Sequence, residues 1–282
     1  MKNIGMLTVR NEADVINEFL DDVEKYFDSI VVMDDSSDGT YEAIAARSIV
    51  DYLVKYDSVY PADGRRTDGQ KEHLFRHIMQ KHGNNTWITN LNADALFGDD
   101  PNEAVELAER AGEHLIRWRT YDFRPHTSDA PAYEADRAAW LARSVKNRLT
   151  WCKDYTWTEW LQFRAFEWHS FDIHKHHNVI PANFEHTGRH FKGIEPVLLH
   201  YPLRSPEQIL ARCEDRRLTG FRTPDYYAEI INGGYFMDSE EGYPHVKFEL
   251  AGVSLGTMGR GNERFRQGAG GLANYEKVGG DI

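Results

Sequence analysis

Two adjacent carboxylates, Asp34 and Asp35, end the apolar run Ile30 to Met33 and open a hydroxyl-rich turn, Ser36-Ser37-Asp38-Gly39-Thr40. Like charges side by side repel, so each acid calls for an N–H, a hydroxyl or a cation nearby. The same residue types also suit a plain strand end followed by a helix N-cap. Two further segments that read as strands finish in dense polar groups: Arg10-Asn11-Glu12 after Ile4 to Val9, and Asn92-Ala93-Asp94 after Trp87 to Leu91. Carboxylates and amides of this kind suit ribose hydroxyls, base N–H groups and a hard divalent cation. A diphosphate would need that cation and a basic side chain or two, which Arg65, Arg66 and Lys71 could supply. No Gly-x-Gly-x-x-Gly follows the first run, and no Walker-type loop occurs.

The elements that must position these groups alternate. Strands are expected at Ile4 to Val9, Ile30 to Met33, Tyr52 to Tyr56, Trp87 to Leu91 and Leu115 to Phe123. Between them, Val15, Ile16, Phe19, Leu20, Val23 and Phe27 form one apolar stripe, with Asn11 as the expected cap. A short helix is expected over Tyr41 to Arg47, and a longer one over Gly69 to His82. Asp100-Pro101 reads as an N-cap with proline at the first helical position. The βαβ rhythm predicts an α/β fold, a mostly parallel open sheet with flanking helices, in which ligands bind beyond the carboxyl ends of the strands. After residue 124 the rhythm breaks into a less regular, aromatic-rich part. Ser205-Pro206-Glu207-Gln208 then reads as a capped helix start, running to Leu218. The division expected is 1–123, 124–251 and a Gly-rich, polar tail at 252–282 that reads as a mobile tail or lid.

Three segments, Leu7-Thr-Val-Arg-Asn-Glu12, Val31-Val-Met-Asp-Asp-Ser-Ser-Asp-Gly-Thr40 and Trp87-Ile-Thr-Asn-Leu-Asn-Ala-Asp94, resemble in order and spacing the family 2 glycosyltransferases of GT-A fold. The resemblance covers roughly the first 100 residues. It implies a transferase taking a nucleotide-sugar donor, usually a UDP-sugar, with Mg²⁺ or Mn²⁺. On that resemblance Val9, Arg10, Glu12 and Asp35 border the nucleoside, Asp34 supports the pocket, and Asn92-Ala93-Asp94 stands in the place of the family's Asp-x-Asp. Asp94 is then the metal ligand. The chain departs from the pattern at Asn92, whose amide brings no negative charge. Val197-Leu-Leu-His200-Tyr201-Pro-Leu-Arg204-Ser205 is also similar to part of the family. There His200 is expected to coordinate the metal or hold the diphosphate, with Arg204 as a phosphate partner.

An inverting transfer needs a base on the acceptor hydroxyl. The Glu-Asp pair common in the family does not stand in the expected region after the Asn92-Ala93-Asp94 segment. Asp154, Glu159 and Glu167 lie in the aromatic stretch Trp151 to Trp168, and Glu159, flanked by Trp157 and Trp160, is the first expectation, then Asp154. Seven of the 13 histidines fall between His169 and His200, and their spacing reads as a polar loop rather than a zinc centre. Two cysteines exclude a disulfide framework. A net charge of -12 argues against duplex DNA as acceptor, whereas the basic run Arg212, Arg216, Arg217 and Arg222 keeps a modified base open beside a glycan, protein or small molecule. With no secretory run and no membrane-span length, a cytoplasmic location is expected. The competing expectations are a nucleotide-sugar-binding protein with a weakened site and a nucleotidyltransferase of related fold. The latter would carry a Gly-rich, basic signature after the first strand, where Val9-Arg10-Asn11-Glu12 stands.

Overall fold

The computed structural model describes residues 2–56, 69–83, 86–155, 161–164, 171–173, 179–181, 196–218, 235–236 and 246–247. In chain order the first elements are β1 (Lys2–Val9), α1 (Ile16–Val23), β2 (Ser29–Asp34), α2 (Thr40–Ala45), β3 (Val50–Lys55), α3 (Gly69–His82) and β4 (Thr86–Leu91). Next come β5 (Ala95–Phe97), α4 (Pro101–Arg110), β6 (Leu115–Arg117) and β7 (Arg119–Arg124). The less regular part holds α5 (Ala130–Ala135), α6 (Arg137–Leu141), α7 (Val145–Arg148), β8 (Trp151–Tyr155), β9 (Leu161–Arg164), β10 (Phe171–Ile173) and β11 (Val179–Pro181). It closes with β12 (Val197–His200), α8 (Pro206–Leu218) and β13 (Val246–Lys247).

β1 pairs in parallel with both β2 and β4, and β2 with β3. This four-stranded all-parallel block, flanked by helices, is the α/β arrangement expected. Antiparallel β9 and then β6 extend it into a six-stranded sheet, β3-β2-β1-β4-β9-β6. Strands buried on both faces must be apolar at successive positions, and β1 obeys: Ile4, Met6 and Leu7 are fully buried. Leu7, Val9, Ile30 and Val32 pack with Phe19, Leu20 and Val23 of α1. Ile4, Met6, Val31 and Met33 pack with Leu74, Phe75 and Ile78 of α3. The stripe expected on α1 is therefore its buried face.

Gly5 sits in the middle of β1, where a Cβ would collide with the Leu91 side chain and lie 2.8 Å from Ile30 Cγ2. Gly5→Ala is expected to lower stability by about 1–3 kcal/mol through overpacking. Urea denaturation checks this, and an unchanged midpoint would contradict the packing.

The stretch Leu115 to Phe123, expected as one strand, is two strands in different sheets. β6 edges the first sheet, while β7 lies in a five-stranded sheet, β13-β8-β7-β12-β5. Trp118 marks the break, buried and edge-on to Phe97 with ring centroids 5.1 Å apart. β9 joins the first sheet and β12 runs parallel to β7, so strands from the second half complete sheets begun in the first. The Asp100 cap is present, accepting the Asn102 N–H at 2.7 Å.

Asp99 staples the turn after β5 to β12 by accepting the Val197 N–H at 2.9 Å. Burial, with Glu103 nearby, pushes its carboxyl up to about 6 from an ordinary 3.8. Stability linked to Asp99 is thus fully present below pH 3.8 and lost as pH rises through 6. Asp99→Asn keeps an acceptor without the charge, and is expected to be more stable than the parent by about 2 kcal/mol at pH 8. The difference should vanish below about pH 4. Paired thermal melts at the two pH values check the sign.

Candidate active site

Parallel pairing brings the carboxyl ends of β1, β2 and β4 side by side, with Val9 opposite Asp34 and Leu7 opposite Leu91. The loops after β1 and β2 are bolted together by short side chains. The Asn11 N–H donates to Ser36 Oγ at 2.8 Å, the Glu12 N–H to Thr40 Oγ1 at 2.9 Å, and the Ala13 N–H to Asp38 Oδ2 at 3.1 Å. Three consecutive N–H groups of the first loop are thereby held by the second. Asp34, fully buried, anchors this brace by accepting the Ser36 hydroxyl at 2.7 Å and the Ser36 N–H at 3.1 Å. Burial raises its carboxyl above the ordinary range, against those two hydrogen bonds.

Asn11 does not cap α1. The helix begins at Ile16 after a turn, with Val15 at the cap position, and Asn11 adopts a positive φ of 54°. Asn tolerates that backbone better than most residues. Its Oδ1 accepts the Ser37 N–H at 2.9 Å, so the residue ties the two loops instead of starting the helix.

Four charged clusters face this edge. Arg10 Nη1 pairs with Asp35 Oδ2 at 2.6 Å, while Arg10 Nε and Nη2 grip the Asp215 carboxylate of α8 at 2.9 and 2.7 Å. Glu12 Oε2 accepts from Arg204 Nη2 at 2.5 Å, and Arg204 also binds Asp14 at 2.7 and 2.8 Å and the Tyr201 carbonyl at 2.9 Å. Asp94, only 3% exposed, faces His200 Nε2 at 3.5 Å through Oδ1 and Arg212 Nη1 at 3.2 Å through Oδ2. Finally, His200 Nδ1 meets Asp122 Oδ1 at 2.7 Å. Arg212 joins the first-strand and fourth-strand clusters, because its Nη1 also lies 3.9 Å from Glu12 Oε1.

The electrostatics follow from burial and these partners. Burial raises Glu12 above the ordinary carboxylate range despite Arg204 and Arg212. Burial acts the same way on Asp94, but His200, Arg212 and Arg204 prevail and hold it well below that range. Burial disfavours the charge on His200, yet the Asp94 carboxylate and the bonds to Asp122 and Asp94 push it up to about 9. Arg204 likewise keeps its charge more firmly than an exposed arginine, since Glu12 and Asp14 outweigh burial.

The expected residues are placed as follows. Arg10, Glu12, Asp35, Asp94 and His200 converge at the strand ends, with Asn92 in the turn that its carbonyl closes by accepting the Ala95 N–H at 3.1 Å. Val9 and Ala93 are buried in the core, and Val9 offers its carbonyl to the Asp35 N–H at 3.0 Å. Lys71 lies in the first turn of α3. Arg204, expected at the phosphates, has a side chain with no exposed surface and is engaged by Glu12 and Asp14. Asp154 stands on β8 opposite Tyr121, its side chain outside the described residues. Arg66 and Glu159, the histidines from His169 to His190 and the tail 252–282 lie outside them as well. Four members of these clusters were not singled out as site residues in the sequence: Asp14, Asp122, Arg212 and Asp215. An acid flanked by the aromatic residues Tyr121 and Phe123 was the available signal for Asp122. Register then places it directly beside His200.

Among the described residues no group of three or more His, Cys, Asp and Glu is arranged to hold a metal ion. Asp94 and His200 nevertheless fit a divalent cation completed by ligand oxygens and water. The first offers a hard carboxylate oxygen. The second has its Nδ1 oriented by Asp122, as the outer nitrogen of a metal-binding histidine usually is.

No protein-family model matches the chain, and no curated protein does. Among solved structures it is similar to the mannosyl-3-phosphoglycerate synthase from Rubrobacter xylanophilus, at 16% identity and a TM-score of 0.33. The match covers 58% of this chain and 53% of that one, so the chain spans about half the length of that structure. No helix among the described residues is long and apolar enough to cross a membrane.

Proposed function

We propose that the chain is a glycosyltransferase that moves a sugar from a nucleotide diphosphate donor, a UDP-sugar, to an acceptor hydroxyl with Mg²⁺ or Mn²⁺. One observation carries the reading: Glu12, Asp35 and Asp94 meet at three adjacent parallel strand ends, joined by Arg10 and Arg212. Asp35 and Glu12 accept from the nucleoside, and Asn92 offers its amide to a ribose hydroxyl or the water shell of the cation. Asp94 and His200 would hold the cation, His200 through its Nε2. When bound, the cation offsets the charge that develops on the departing diphosphate. Arg204 fixes the Glu12 carboxylate, acting as a positioning residue. The transfer is read as an inverting single displacement, in which the acceptor oxygen bonds to the anomeric carbon as the bond to the diphosphate breaks, and Glu159 or Asp154 takes the acceptor proton.

Release of nucleoside diphosphate from a panel of nucleotide sugars, in Mn²⁺ and in EDTA, tests this. Metal-stimulated release from a UDP-sugar is expected. The absence of both release and UDP binding would sink the proposal. A binding protein without turnover is favoured by one feature, the neutral Asn92 beside an Asp94 already engaged by His200 and Arg212. In that case UDP binds and nothing is released.

A further inference from the structure

α8 lies against the strand ends with one face. Gln208, Arg212 and Asp215 recur at i, i+4 and i+7, which places them on a common stripe of the helix. Gln208 Oε1 accepts the Arg204 N–H at 3.1 Å, Arg212 reaches Asp94, and Asp215 reaches Arg10. Arg212 is at the centre of that stripe. Its Nη1 also donates to the Pro202 carbonyl at 2.9 Å, and its side chain keeps 21% of its surface exposed.

Resting on the reading of the site given above, we propose that Arg212 is a tethered counter-ion that shields Asp94 in the empty site and moves to the donor diphosphate when a divalent cation takes the carboxylate. Three considerations lead there. A carboxylate as buried as Asp94 is costly without a counter-charge. A divalent ion on the same carboxylate would face the Arg212 charge at close range in a site sheltered from water, where like charges repel strongly. The incoming diphosphate supplies, beside the cation, anionic oxygens that a planar guanidinium fork binds well. The long, partly exposed Arg212 side chain can make that exchange, whereas Arg204, enclosed between Glu12 and Asp14, cannot.

The exchange predicts shifts of opposite sign from one substitution. Arg212→Gln should bind Mn²⁺ alone about tenfold more tightly than the parent, and UDP in the presence of Mn²⁺ about tenfold more weakly. Electron paramagnetic resonance of free Mn²⁺ reads the first, and calorimetry the second. Mn²⁺ affinity that is unchanged or weakened overturns the inference. A second variant keeps it testable if Arg212→Gln does not fold. Asp94→Asn releases Arg212, so in EDTA it should bind UDP more tightly than the parent, and equal or weaker binding overturns the inference. Were the parent to bind no UDP under any condition, the glycosyltransferase reading would fail. The Mn²⁺ titration of Arg212→Gln would still decide whether Arg212 competes for Asp94.

Discussion

Asp94→Asn is expected to reduce metal-dependent release of UDP from a UDP-sugar by about 10²–10³-fold, the cost of removing one preorganised charge from where the leaving group develops its own. The size of the effect follows from the neighbours. Asn92 contributes no charge, so Asp94 is the carboxylate at the end of β4 that can hold a cation. Its carbonyl is fixed by the Tyr201 N–H at 2.7 Å and its side chain by His200 and Arg212, which leaves little freedom to relocate a ligand. Asparagine preserves the shape, and melting curves should show a folded protein. Turnover within about twofold of the parent would refute the role given to Asp94.

Arg204→Met is expected to act on the fold rather than on chemistry alone. Its guanidinium has no exposed surface and joins Glu12, Asp14 and the carbonyl of Tyr201. Removing one partner of a buried ion pair leaves an uncompensated charge, at a cost of about 3–5 kcal/mol. Glu12, with 13% of its side chain exposed, is the partner stranded, whereas Asp14 at 38% is largely rescued by water. For a chain of this size the melting temperature should fall by roughly 10 °C. Arg204→Lys should recover only part of that, because a point cation cannot serve both carboxylates and the carbonyl with the same geometry. A fall below about 2 °C for Arg204→Met would show that the triad contributes little.

These two residues also show what the sequence discloses. Asp94 is legible because it follows closely on a segment whose strand character is local, and the same holds for Asp34, Asp35 and Glu12. Local patterns likewise fix α3, the Asp100-Pro101 start of α4 and the Ser205-Pro206 start of α8, where Ser205 Oγ accepts the Gln208 N–H at 3.2 Å. Arg204 carries no such signature. A basic residue before a helix looks like a phosphate ligand until Glu12, 192 positions away, is seen to enclose it. Asp122 beside His200, Asp215 on Arg10 and Arg212 on Asp94 are equally long-range, set by strand register and by where α8 lands. The break at Trp118 was hidden because both strands bury successive side chains, Leu115 and Ile116 in one and Thr120 to Phe123 in the other, so Leu115 to Phe123 reads as one strand whichever sheet each half joins. Asn11 was misplaced for a related reason: an Asn before an amphipathic stripe fits both a cap and a left-handed turn, and the hydroxyls of Ser36 and Thr40 decide between them.

Calorimetric titration of the full chain with UDP, in Mn²⁺ and again in EDTA, tests the central assignment most directly. Saturable binding that Mn²⁺ strengthens by about tenfold or more, an increment lost in Asp94→Asn, is the predicted result. Absence of binding by UDP and by the other nucleoside diphosphates, with or without the metal, would contradict it.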